Sequence, residues 1–264
     1  MKPSVKRDLT IAGSDSCGGA GIQADLKTFH QFGCFGLSVL TAVTAQDTTG
    51  VQAVERVSAE CVAAQLDAVV SDIGVDAVKL GMLATRDIVE VLADKMRGLK
   101  LTNLVVDPVL RSTTGQALLE ASAREIFSQQ IIPLATVITP NLSEAEVLAG
   151  RPVSNIEEMK AAAKVIYDLG ASNVVVKGGH LHGDATDLLF DGTTFTEFPA
   201  DRLNIAGTHG TGCTFSAALA AGLAIGKSLV ESVRSAKLFV RRGIKEGFQL
   251  GRGMRLLNPF VTAC

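Results

Sequence analysis

Short apolar runs alternate with amphipathic stretches along nearly the whole chain, and that order narrows the choice of fold more than any other feature. Residues 9–12, 37–45, 76–80, 103–107, 135–139 and 173–177 are apolar or β-branched enough for buried strands. Between them, residues 22–32, 59–73, 86–96 and a stretch reaching about residue 130 carry helical patterning, with Val62, Leu66, Val69 and Val70 on one face of the second. Strands separated by helices pair in parallel, because each helical crossover brings the chain back to the same end of the sheet. The expectation is an α/β fold with a central, mostly parallel sheet and helices on both faces. With 264 residues, 47% of them hydrophobic, the chain is long enough for one well-buried domain spanning 1–264.

Local punctuation fits this order. Gly33, Gly98 and Gly170 stand where helices should stop, and Ser58 can cap the helix that begins at Ala59. Ser154 with Glu157 and Ser228 with Glu231 read as capping boxes. Residues 51–57 can form a further short strand, and Asp191-Gly192 between two apolar runs predicts a hairpin. The residues after Cys213 are rich in Ala, Leu and Gly on every side, which predicts a helix buried all round.

Composition excludes several classes of partner. The chain has 25 basic and 27 acidic residues with no long run of either sign, so no nucleic-acid footprint is expected. No segment is long enough to cross a membrane and no signal peptide is visible. Cys17, Cys34, Cys61, Cys213 and Cys264 are odd in number, far apart and without a Cys-x-x-Cys pair. That pattern argues against a disulfide framework or a zinc ribbon and suits a reducing cytosol.

Candidate site residues emerge from where the polar groups fall. Gln46, Asp107, Asn141 with Glu144, and Lys177 each lie at or just beyond the end of an expected strand. In an open parallel sheet those ends share one edge, where ligands bind. Asp107 and Glu144 offer the oxygen ligands Mg²⁺ prefers, directly or through water, and Lys177 can neutralise phosphate. Taken singly, each also has an ordinary role: a strand-end cap, a helix-start acid, a surface lysine. Residues 207–221 begin as a glycine loop and continue as a helix. Gly210 and Gly212 leave the amides around Thr211 and Cys213 free to point at one anion, and Cys213 stands where a helix dipole lowers a thiol pKa. A small buried hydrophobe is the alternative reading of that cysteine.

Two motifs are set aside. Gly19-Ala-Gly-Ile-Gln-Ala24 fits the dinucleotide fingerprint but lies six residues beyond the expected strand end at Ala12. Ala221-Gly-Leu-Ala-Ile-Gly-Lys-Ser228 approaches a Walker A loop but follows a helix rather than a strand. His30, His180, His182 and His209 show no metal spacing; His180 and His209 fall near the expected site and read as exposed turn residues.

Several blocks together resemble the hydroxymethylpyrimidine/phosphomethylpyrimidine kinases of thiamine biosynthesis, in the ribokinase superfamily. They are Gly13-Ser-Asp-Ser-Cys-Gly-Gly-Ala-Gly-Ile-Gln-Ala-Asp-Leu-Lys27, Thr44-Ala-Gln46, Lys79-Leu-Gly-Met-Leu83, Asp107-Pro-Val109, Thr139-Pro-Asn-Leu-Ser-Glu-Ala-Glu146, Val176-Lys-Gly-Gly-His180 and His209-Gly-Thr-Gly-Cys-Thr214. The likeness runs from near residue 8 to about 245, and the Gly-Thr-Gly-Cys loop alone would also admit pyridoxal kinases. It implies a ribokinase-like fold, a homodimer, ATP and Mg²⁺, and phosphorylation of the hydroxymethylpyrimidine and then of its monophosphate. It implies further that Gln46 bonds the aminopyrimidine, with Gly13, Ala20, Asp25, Met82 and Val109 lining its pocket. Asp107, Asn141 and Glu144 would serve the metal and phosphates, Lys177 the ATP phosphates, and the amides of Gly210, Thr211, Gly212 and Cys213 the anion hole. Cys213 would also be the base, where sugar kinases of the superfamily have an aspartate. Cys17, Asp47, Leu110 and Arg111 depart from the family pattern. Arg111 either grips the phosphate of the second substrate or faces solvent.

Overall fold

The computed structural model describes residues 5–99, 102–111, 115–179, 181, 183–205 and 207–263. In chain order these form β1 (Arg7–Asp15), α1 (Gly21–Gln31), β2 (Phe35–Asp47), β3 (Gly50–Arg56), α2 (Ala59–Asp72), β4 (Ala77–Leu80), α3 (Arg86–Leu99), β5 (Leu104–Val106) and α4 (Ala121–Ile126). After α4 a π turn (Phe127–Ile131) and a 3₁₀ turn (Ile132–Leu134) carry the chain into β6 (Val137–Ile138). There follow α5 (Leu142–Ala149), α6 (Ile156–Asp168), β7 (Val174–Val176), β8 (Asp187–Phe190), β9 (Phe195–Phe198), β10 (Thr208–His209), α7 (Thr211–Ala224), α8 (Leu229–Lys245) and β11 (Arg255–Leu256).

Nine strands make one sheet in the order β3-β2-β1-β4-β5-β6-β7-β8-β9. The pairs from β2 through β7 are parallel, and the antiparallel β3, β8 and β9 lie at the two edges. Alternation along the inner strands shows why both faces must be covered. Val78, Leu80, Leu104, Val106, Ile138, Val174 and Val176 bury themselves against α2, α3 and α6. Their neighbours Ala77, Val105, Val137 and Val175 face α1, α7 and α8. Lys79 shares the second face, a cation in an otherwise apolar layer.

α7 lies at the centre of that face, against β1, β4 and β5. Ten of its residues are buried, so the all-apolar composition read from the sequence matches its position. A hydroxyl pair anchors its first turns: Ser216 Oγ lies 2.9 Å from Thr139 Oγ1 at the end of β6 and donates to the Gly212 carbonyl at 3.1 Å.

Several boundaries differ from expectation. β1 runs three residues further, to Asp15, because Ser14 and Asp15 keep pairing with Val43 and Thr44 of β2 past an irregularity at Ala12/Ser14. α3 continues through Gly98 to Leu99. The cap of α6 is Asn155, which accepts from the Glu158 N–H, while Ser154 donates to Glu158; the expected box is displaced by one residue. The caps at Ser58 and Ser228 and the hairpin at Asp191-Gly192 are where the sequence puts them. Gly226 closes α7 at φ 88°, and Ser228 caps α8, so the Walker-like stretch is a helix end followed by a helix start. No helix among the described residues is long and apolar enough to cross a membrane.

Candidate active site

A cavity of about 610 Å³ opens along the carboxyl edge of the parallel strands. Gln46, Asp107, Asn141, Glu144 and Lys177 all line it, together with Gly210, Thr211, Gly212 and Cys213. The topology accounts for this convergence. Gln46 ends β2, Asp107 directly follows β5, Asn141 lies three residues beyond β6 and Lys177 follows β7, and all these ends face the same way.

Gly210 begins α7 at φ 83°, with no side chain capping the helix. The first amides of the helix therefore keep their hydrogens for whatever occupies the cavity. Facing them, Lys177 Nζ lies 2.9 Å from Asp107 Oδ1, and both side chains are largely buried. Burial opposes the Lys177 ammonium, but Asp107 and Glu144 outweigh it and raise its pKa. Glu144 is the group under electrostatic pressure: burial pushes its carboxyl up to about 7, Lys177 opposes the shift and Asp107 adds to it.

Part of the expected donor set suits an octahedral cation. Asp107 and Glu144 are two oxygen donors whose mutual repulsion a cation would relieve, which fits Mg²⁺ held by one or two carboxylates with waters and phosphates. Asn141 is different from expectation. Its Oδ1 accepts from the Glu144 N–H at 3.0 Å while Glu144 Oε2 accepts from the Asn141 N–H at 2.8 Å, a complete capping box. One of the two lone pairs of its oxygen thus serves to fix Glu144. Between pH 4.5 and 7 folded Glu144 holds a proton that the unfolded chain releases, so stability falls as pH rises through that window. Glu144→Gln, which preserves the cap, is expected to raise the melting temperature of nucleotide-free protein by roughly 3–6 °C at pH 8 and hardly at all at pH 5. Equal shifts at both pH values would contradict this.

Gly13, Ala20, Met82 and Val109 give the cavity that Gln46 also lines an apolar part, the pyrimidine slot that the resemblance implies. Asp25 does not join them. Its carboxylate is fully buried behind the wall, 2.9 Å from Lys79 Nζ and 2.6 Å from Thr10 Oγ1. A carboxylate on an apolar helix face needs a buried cation, and Lys79 supplies it across the α1 interface. Burial works against the Lys79 ammonium, yet Asp25, with Cys213 and Asp107 further off, holds it protonated.

Cys213 reverses another expectation. Desolvation dominates the helix dipole and pushes its thiol up to about 11, with Lys79 and the Gly21 N–H opposing and Asp25 and Asp107 adding. At neutral pH the resting thiol keeps its proton. Arg111 lines the cavity while remaining exposed, with Nη1 donating to the Gly115 carbonyl at 3.3 Å.

Three features escaped the sequence reading. His209 is buried, not an exposed turn residue: its Nε2 lies 2.9 Å from Asp15 Oδ2 and 3.0 Å from Gln46 Nε2. Asp15 also accepts from the Gly19 and Ala20 N–H groups, so the dinucleotide-like loop binds its own carboxylate where a phosphate would have to sit. Lys237, whose Nζ lies 2.8 Å from Asp187 Oδ2, also lines the cavity, as do Leu203, Ile205, Val240 and Ile244. A lysine among apolar residues in β4 was a legible signal for Lys79; nothing near residue 209 marks His209. His180 and His182 fall outside the described residues, while His30 is exposed.

Free helix amides, a buried lysine and two crowded carboxylates serve the transfer of a phosphoryl group, and on a sheet of this order they make the protein a ribokinase-like kinase. The phosphomethylpyrimidine kinase model matches residues 15–258, and the chain belongs to that family. It is 51% identical over 256 residues to a hydroxymethylpyrimidine/phosphomethylpyrimidine kinase of Rhizobium meliloti, covering 96% of each chain. It is 46% identical to the thiamine biosynthesis bifunctional protein ThiED of Geobacter sulfurreducens, covering 97% of this chain and 52% of that one. Among solved structures, an ADP complex of Bacillus subtilis pyridoxal kinase superposes with a TM-score of 0.89 at 42% identity, covering 97% of both chains. Pyridoxal kinase from Staphylococcus aureus in complex with AMP-PCP and pyridoxal does so at 0.89 and 39%, covering 97% of this chain and 94% of that one.

Proposed function

We propose that this kinase phosphorylates 4-amino-5-hydroxymethyl-2-methylpyrimidine from ATP and then phosphorylates the monophosphate to the diphosphate, in thiamine biosynthesis. The observation that carries the reading is that one cavity is lined at once by the Gln46 amide, by apolar Gly13, Ala20, Met82 and Val109, and by Lys177 with the uncapped start of α7. The ADP and AMP-PCP complexes of the structural relatives support ATP as donor. The hydroxymethyl oxygen attacks the γ-phosphorus, the bond from that phosphorus to the β-bridging oxygen breaks, and ADP leaves. The amides of Gly210 to Cys213 and Lys177 hold the charge on the transferring group; once the Cys213 thiol has lost its own proton to solvent, the thiolate, a minor form at neutral pH, accepts the hydroxyl proton. Asp107 and Glu144 would hold Mg²⁺, which when bound neutralises phosphate charge; Asn141 sets the position of Glu144. Assembly as a homodimer belongs to the same proposal, and Phe35 and Val43, exposed on β2, support it.

Base chemistry separates the two steps. The first nucleophile is an alcohol that must lose a proton; the second is a phosphate oxygen already ionised. Cys213→Ala is therefore expected to cut kcat for the first step by about 10²–10³-fold, with little change in KM, and the second step by less than about tenfold. With the thiol up at about 11, wild-type log kcat for the first step should climb with pH from 7 to 9. A flat profile, or equal losses in both steps, would remove Cys213 as the base.

The overall reading is tested by product mass after incubation with Mg·ATP and, separately, the hydroxymethylpyrimidine, its monophosphate and pyridoxal. Mono- and diphosphate from the pyrimidines are expected. The likeness to pyridoxal kinases gives a second reading, phosphorylation of pyridoxal, which preferential formation of pyridoxal phosphate would establish in place of the first.

A further inference from the structure

From the hydrogen-bond inventory around Gln46 we infer that Asp15 and His209 form a positioning dyad that locks the Gln46 amide in one orientation, so that the site selects aminopyrimidines against their oxo counterparts. The inference rests on the pyrimidine reading above.

Three observations fix the orientation. His209 Nδ1 is buried without a hydrogen-bond partner, and a bare lone pair there costs less than a bare N–H. The ring proton therefore sits on Nε2, which faces Asp15 Oδ2 at 2.9 Å. Asp15 can only accept: burial raises its pKa, but His209 and the Cys17 and Ala20 N–H groups more than offset this and keep it low. The second contact of Nε2 is the Gln46 amide at 3.0 Å. An N–H cannot point at an NH₂ group, so the oxygen of the amide must face His209, a half-turn about the last side-chain bond from the nitrogen-facing arrangement.

Thr44 demands the same half-turn independently. Its single hydroxyl proton goes to the Ser14 carbonyl at 2.8 Å, leaving none for Gln46 Oε1 at 3.3 Å. With the amide turned, Gln46 Nε2 donates to the Thr44 oxygen, and Gln46 Oε1 shares the single His209 Nε2–H with Asp15 in a bifurcated bond. Both contacts of the Gln46 amide then pair a donor with an acceptor. Gly19 makes the arrangement possible, since a Cβ there would lie 2.7 Å from His209 Cδ2.

The consequence is a directed pair of valences at the mouth of the slot. One N–H of Gln46 remains to donate and one lone pair remains to accept. A 4-aminopyrimidine matches them, its ring N3 accepting and its exocyclic amine donating. A pyrimidin-4-one presents the inverse, N3–H and C=O. To bind it Gln46 would have to turn back, setting its NH₂ against the His209 N–H.

The test compares kcat/KM for 4-amino-5-hydroxymethyl-2-methylpyrimidine with that for 5-hydroxymethyl-2-methylpyrimidin-4-one. Wild type should favour the amine by at least about 100-fold. His209→Leu, which removes the lock, should reduce that preference at least about tenfold, mainly through KM. His209→Gln, whose amide can donate to both Asp15 and Gln46, should keep it. An unchanged preference in His209→Leu would overturn the dyad. Should that variant fail to fold, ¹⁵N NMR of wild-type His209 decides: the proton on Nε2 supports the lock and the proton on Nδ1 overturns it. The NMR result does not depend on substrate, so absence of turnover with either pyrimidine would count against the proposed function alone.

Discussion

Gly210→Ala is expected to lower kcat/KM by at least about 10³-fold while also destabilising the fold. At φ 83° the residue sits where a Cβ is disfavoured, and that Cβ would overlap the Gly19 carbonyl oxygen on the loop before α1. Two glycines in van der Waals contact thus bring the starts of α1 and α7 together around one cavity. Relief can come only by moving the backbone, which turns the α7 amides away from the transferring phosphate. Gly226→Ala is the control. Gly226 has φ 88°, but a Cβ there meets nothing within 4 Å. It should cost about 1–2 kcal/mol of stability and leave kcat unchanged. Steady-state kinetics and thermal melts of the two variants check both statements; similar kinetics for both would show that close contact with Gly19 does not matter.

Lys79→Met should cost about 3–5 kcal/mol, lowering the melting temperature by roughly 10 °C. Lys79 and Asp25 are both wholly buried, so losing the cation strands a carboxylate whose Oδ1 already lacks a partner. The pair itself stabilises little relative to apolar packing, because desolvation of two ions offsets their attraction. Lys79→Met/Asp25→Leu/Thr10→Val, which removes every polar group of the cluster, should therefore recover most of the loss. Activity should not return with it, since Lys79 lines the cavity and opposes the rise in the Cys213 pKa. A triple variant no more stable than Lys79→Met would contradict this account of the pair.

The sheet and its helices were legible because period-two and helical patterning are local. Val105 and Val106 announce in β5 a strand buried on both faces without reference to anything distant. Strand-end placement brought Gln46, Asp107, Asn141, Glu144 and Lys177 to one edge for the same reason, since direction in a parallel sheet is fixed by connectivity. What remained hidden depends on side chains far apart in sequence. Asp25 meets Lys79 across a helix–sheet interface, and His209 meets Asp15 from the other end of the chain. Cys213 shows a different limit. Its helix-start position was visible, but the burial that overrides the dipole belongs to the tertiary environment. Asn141 has a pattern with two uses, since Asn-x-x-Glu serves equally as a capping box and as a set of oxygen ligands, and the capping box is formed.

One competition experiment tests most directly whether the cavity lined by Gln46 takes a pyrimidine alcohol. Equal concentrations of 4-amino-5-hydroxymethyl-2-methylpyrimidine and pyridoxal, incubated with the protein and Mg·ATP, can be followed together by ³¹P NMR. The pyrimidine monophosphate should appear first and give way to the diphosphate, with pyridoxal phosphate trailing both. Pyridoxal phosphate accumulating while the pyrimidine stays unphosphorylated would contradict the claim.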